Sequence, residues 1–147
     1  MQDEKGFSLV ELLIVVAIIG LIAAIAVPNL IRARMSADAA SAISSVRTLV
    51  TGENLYANAN NGAYADMAAL VPTGTLDSNL ASGSKSAYLF TVSTNCVVGQ
   101  PVPTVPTFQI NADPFEDPGN QPHYFSDQTA VIRVAFGAPA TATSQGL

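Results

Sequence analysis

The chain has 147 residues, a formal net charge of −5 at neutral pH and only 12% charged residues. That length suits one domain with an appended helix. The cations Arg32, Arg34, Arg47, Lys85 and Arg133 are scattered and make no basic patch, which argues against a nucleic-acid partner, and a single cysteine, Cys96, excludes an intrachain disulfide.

The chain opens on a short charged leader, Met1–Gly6, in which Asp3 and Glu4 outnumber Lys5. Phe7 follows, and a lone carboxylate, Glu11, stands at the head of an apolar run ending near Pro28. As a helix, Phe7 to Ile31 would cover about 37 Å, enough to cross a hydrocarbon core of about 30 Å. A carboxylate there costs roughly 2.5–3.5 kcal/mol on insertion scales, so Glu11 needs a reason. A cleaved secretory signal, with Ala24-Ile25-Ala26 as its processing site, is disfavoured by the acidic leader and by Glu11. A plain membrane anchor fits the length and leaves Glu11 without a role.

The stretch Lys5-Gly6-Phe7-Ser8-Leu9-Val10-Glu11-Leu12-Leu13 resembles the class III signal of type IV prepilins and the related pseudopilins. The resemblance implies cleavage between Gly6 and Phe7 by a prepilin peptidase and N-methylation of Phe7. It also supplies a role for Glu11. The amine freed on Phe7 lies four residues from Glu11, on the same helix face. In a filament, the amine of one subunit can meet Glu11 of its neighbour. An α-amino group is mostly cationic at neutral pH, and two buried opposite charges that are costly apart become tolerable together. Subunits would then insert in the register where the pair closes. Lys5 weighed against Arg32 and Arg34 alone favours the opposite membrane orientation; the resemblance places the leader in the cytoplasm.

Gly20 and Pro28 interrupt the apolar run with a weak helix former and a residue lacking an N–H. They mark the segment most able to unwind, and in assembled filaments of the resembling family this stretch can melt. Beyond it, residues 29 to 60 hold no proline. Ile43, Val46 and Val50 recur at helical spacing, with Ala39, Ala42 and Ala57 near the same stripe and Asp38, Ser41, Ser45 and Arg47 mostly off it. One helix is therefore expected from Ser8 to Ala59, apolar all round in its first half and amphipathic in its second. Asn60-Asn61-Gly62 supplies the stop signal.

Residues 63 to 86 are expected as a long loop with one helical turn at Asp66–Leu70. Strands are expected at Ala87–Ser93, Thr107–Asn111, His123–Ser126 and Ala130–Phe136, the last two joined as a hairpin by Asp127-Gln128-Thr129. Residues 137 to 147 read as a loose polar tail. The fold class is α+β: a long N-terminal helix packed on a small antiparallel sheet of three or four strands. The resemblance implies a pilin-like division into a leader (1–6), a transmembrane or filament-core helix (7–31), an amphipathic continuation (32–60) and a globular head (61–147).

Little in the head suggests catalysis. One histidine and one cysteine make no metal site or Cys–His pair, and His123 with Asp127 and a serine is a triad only on paper. Asp113, Glu116 and Asp117 form the lone acidic cluster. They are weak calcium candidates, because the loop pattern of the calcium-binding major pseudopilins is absent and prolines flank the cluster. No cofactor is expected.

The resemblance thus implies a non-enzymatic subunit of a type IV pilus, with Gly6 and Phe7 as processing residues and Glu11, Gly20 and Pro28 as assembly residues. Its partners would be further copies of itself, the peptidase, the assembly machinery and, before assembly, the bacterial inner membrane, ahead of export to an extracellular pilus. A pseudopilin of type II secretion is the near alternative. A membrane-anchored or secreted binding or enzymatic domain is the remote one.

Overall fold

A computed structural model describes residues 6–74, 76–96 and 100–147; the leader residues 1–5 lie outside it. The chain divides into two compact units, Met1–Ser36 and Ala37–Leu147. The first helix, α1, is Leu9–Ala59.

In the first unit the described residues are helical from Leu9 onward, and none of the apolar side chains from Leu9 to Ile31 is buried. The helix runs unbroken through Gly20 and Pro28. Pro28 has no N–H for the carbonyl of Ala24, and next to it the Asn29 side chain donates to Ile25 O at 3.1 Å.

The second unit is α+β, as the sequence pattern predicts. Its helical part ends where Asn61 and Gly62 take positive φ (54° and 85°) and Gly62 N returns to Ala57 O at 2.8 Å. That closes the helix with the left-handed cap that Asn-Gly favours. The connection then forms α2 (Met67–Leu70), a 3₁₀ turn (Val71–Thr73) and α3 (Ser78–Ala81). Asp66 and Asp77 start the two short helices by accepting Ala69 N and Leu80 N. Only the first of these turns is expected from the sequence; α3 is an addition to the loop.

The sheet has six antiparallel strands in sequential order: β1 (Ser84–Lys85), β2 (Tyr88–Thr94), β3 (Phe108–Pro114), β4 (Pro122–Asp127), β5 (Arg133–Phe136) and β6 (Gln145–Gly146). The three or four expected strands are therefore too few. The two missed ones are two residues long and carry no alternating pattern. The hairpin of β4 and β5 is present, with Phe125 opposite Arg133. Its second strand starts at Arg133 rather than Ala130, because Ala130 has φ +58° and closes the turn by donating to Asp127 O. Nor is the C-terminal segment loose. It adds β6, Ser144 O accepts from the Arg133 guanidinium, Leu147 N reaches Ile132 O at 2.9 Å, and Ala140 is buried.

Tyr88, Phe90, Phe108, Ile110, Ala112 and Tyr124 alternate along their strands and share one core with Ala42, Val46, Leu49 and Val50 of α1. Burial also takes Ser45 and Glu53 of α1, so Ser45 is not off the packed stripe as its polarity suggests. Phe125, His123 and Asp127 alternate with the core residues of β4 and so lie on the sheet face away from α1.

Candidate functional site

The N-terminal site is built by the start of α1. Ser8 is the last residue before the helix; its carbonyl accepts Leu12 N and its hydroxyl accepts Val10 N at 3.4 Å. Glu11 reaches back so that its carboxylate accepts Ser8 N at 2.8 Å. The Ser8-Leu9-Val10-Glu11 stretch is thus a capping box, which satisfies donors that the first turn leaves without partners. Ser-x-x-Glu ahead of an apolar run is the ordinary signature of this box in sequence. A negative side chain in the first turn also suits the positive end of the helix dipole. Gly6 and Phe7 stand outside regular structure, Phe7 is 86% exposed, and the space around Gly6 is open. Gly20 is likewise open, with nothing within 4 Å of where a Cβ would stand.

In the head, the acidic cluster is split among separate partners. Asp113 pairs with His123 Nδ1 at 2.7 Å. The Asp117 carboxylate accepts the Asn120 amide at 2.9 and 3.0 Å, and Glu116 is exposed. Among the described residues no group of three or more His, Cys, Asp or Glu is placed to hold a metal ion. His123 meets Asp113 rather than Asp127, whose carboxylate takes Thr129 instead. Its second nitrogen faces Pro118 O at 3.1 Å. Both ring nitrogens thus face acceptors and hold the β3–β4 loop, and among the described residues no serine completes the paper triad.

One buried charged group, Glu53, was not singled out from the sequence. Glu53 has no exposed surface; one carboxylate oxygen accepts Ala65 N at 2.9 Å and the other has no partner among the described residues. Burial pushes its carboxyl from 4.5 up to about 7, against the pull of the Ala65 N–H and with a further push from the Asp66 charge. Cys96 is partly buried, and its sulfur accepts Tyr64 N at 3.3 Å, a packing role.

Residues 1–27 match the family model described as the prokaryotic N-terminal methylation motif. The chain is 39% identical over 74 residues to the type IV wide pilus major component PilA4 of Thermus thermophilus, covering 50% of this chain and 56% of that protein. It is 42% identical over 53 residues to the type IV major pilin protein PilA of Myxococcus xanthus, 36% of this chain and 24% of that one. It is 30% identical over 92 residues to the type II secretion system core protein G of Escherichia coli, 60% and 63% respectively. The chain therefore spans less than two thirds of the length of each of these curated relatives. No solved structure matches.

Proposed function

We propose that this chain is a structural, non-enzymatic subunit of a type IV pilus, made as a membrane-anchored precursor and assembled through its N-terminal helix. The observation that carries the reading is the placement of Glu11, one carboxylate at the mouth of an unburied apolar helix within a matched N-terminal methylation motif. Similarity to the pilins of Thermus and Myxococcus supports it.

On this reading the exposed Gly6–Phe7 bond is the cleavage site, and Phe7 becomes the methylated terminus. Glu11, which caps its own helix through one oxygen, pairs through its charge with the Phe7 amine of a neighbouring subunit and sets the insertion register. The apolar side chains from Leu9 to Ile31 leave lipid for the filament core, where the driving force is packing between helices. Gly20 and Pro28 mark the segment that unwinds on assembly, although it is helical in the single chain. Residues 7–31 form the filament core, 32–60 its amphipathic extension and 61–147 the surface head.

A second reading, a pseudopilin of type II secretion, is favoured by one observation. Similarity to the Escherichia coli core protein G reaches over 60% of this chain, against 50% for PilA4.

Mass spectrometry of the N-terminus in filaments sheared from cells tests both readings. N-methylated Phe7 in that fraction is the expected result. The same terminus only in membranes selects a pseudopilin or a minor subunit, and a terminus at Met1 or Val27 overturns both readings.

A further inference from the structure

The geometry points to a contact between copies of this chain, in which Glu116 at the tip of one copy's β3–β4 loop docks against Arg47 on the exposed face of α1 of the next. It rests on the filament reading above and gives that filament a specific bond from the head of one subunit to α1 of the next.

The starting observation is a mismatch of charges within the head. Lys85 pairs with Asp77 at 2.6 Å, His123 with Asp113, and the Arg133 guanidinium donates to Ser144 O. Asp66 caps α2, Asp117 holds Asn120 and Asp127 holds Thr129. Two opposite charges remain. Among the described residues, neither the Arg47 guanidinium nor the Glu116 carboxylate has a hydrogen-bond or ion-pair partner, and both residues are exposed.

Arg47 stands on an open face of α1 beside Ser44, Thr48 and Thr51. Thr48 and Thr51 donate their hydroxyl protons to the carbonyls of Ser44 and Arg47, so Arg47 is the strong donor of that face. Glu116 sits in a loop pinned at several points. Phe115 N donates to Ala87 O, Gln121 Nε2 to Glu116 O at 2.7 Å, and Asn120 N and Gln121 N to Asp117 O. From beneath, His123 meets Pro118 O, and Gln121 is almost fully buried. The backbone beneath Glu116 is thus already ordered, and on binding only its side chain loses freedom.

The two surfaces cannot meet within one head. The buried side of α1 packs on the face of the sheet carrying Tyr88, Ile110 and Tyr124, and Arg47 points away from it. Pro118 of the loop is held by His123, on the opposite face. A patch on one side of the head that complements a different patch on the other gives a heterologous contact. Such contacts propagate as rings or open helices and do not close as two-fold dimers. The fork of Arg47 suits a bidentate grip on a carboxylate.

Charge reversal tests the contact in cells whose only copy of the subunit is the variant, with filaments sheared off and subunit measured in the membrane fraction. R47E and E116R each place like charges together, and each is expected to lower filament yield about tenfold at unchanged membrane level. The double variant R47E/E116R restores opposite charges and is expected to return within about twofold of the parent yield. R47Q and E116Q, which remove attraction without adding repulsion, give smaller losses and stand in should a reversal fail to accumulate. Parent-level yields from the single variants, or a double variant no better than either single, overturn the contact and leave the filament reading standing. A parent chain that forms no filaments overturns both.

Discussion

Glu53 accepts Ala65 N at 2.9 Å from a position with no exposed surface, so one buried carboxyl on α1 holds the start of the connection to α2. Its second oxygen has no partner among the described residues, which suits a protonated acid better than an ionised one.

This fixes a pH dependence. The folded chain keeps the Glu53 proton up to about pH 7, whereas an unfolded glutamate releases it near 4.5. Between those values the folded state binds more protons, so stability falls as pH rises through that window. The contribution is full below 4.5 and declines by up to about 3 kcal/mol above 7. Glu53→Gln keeps an acceptor for Ala65 N and cannot ionise. Thermal melts of the full chain in detergent should show the variant matching the parent at pH 5 and exceeding it at pH 8.

His123 bridges Asp113 and Pro118 O from a nearly buried position. Asp113→Ala leaves a buried ring nitrogen unpaired and should cost about 1–3 kcal/mol. The loop over residues 115–121 should then open first, which limited proteolysis reads as new cleavage there before any in β2 or β3.

Glu11 has two separable duties, the capping box with Ser8 and the proposed charge pairing. Glu11→Gln preserves the cap, since glutamine serves equally in that motif, and removes the charge. It should insert in the membrane normally and give few filaments. Glu11→Ala loses both, at an added cost of about 1 kcal/mol in the first turn. Normal piliation by the glutamine variant would refute the register argument.

The β1–β2 hairpin turns through Ser86 and Ala87, both at positive φ (50° and 59°), with Lys85 opposite Tyr88. That is the conformation in which two-residue hairpins prefer Asn-Gly. Alanine in a left-handed conformation is strained by roughly 1–2 kcal/mol, so Ala87→Gly should raise the melting temperature by a few degrees. Ser86 stays as it is, because its hydroxyl meets that of Ser41 on α1 at 2.9 Å.

The same hairpin shows why part of the head was not legible. Ser-Ala carries no turn signal, so β1 fell within the loop expected ahead of the strand at Ala87–Ser93. β6 is two residues pairing with Arg133 and Val134, a partnership set by the path of the chain after Gly137 and not by local pattern. His123 was matched on paper with Asp127, its neighbour in sequence. Pairing across the sheet put Tyr124 opposite Ala112 instead, and so brought His123 to Asp113.

The N-terminal third and the fold class are legible from local pattern alone. A run of apolar residues, one carboxylate and an Asn-Asn-Gly stop are local signals, and helices form through contacts three and four residues apart. The strand-like runs of β2 and β3 and the β4–β5 hairpin with its Asp127-Gln128-Thr129 turn are local signals as well. Only the tertiary structure decided which polar groups became buried. Glu53 lies on a helix whose pattern leaves a carboxylate free to face water, and packing placed it under Ala65 instead. The fates of Glu53, of His123 and of the two uncompensated charges at Arg47 and Glu116 depend on what arrives from distant parts of the chain, which no periodicity encodes.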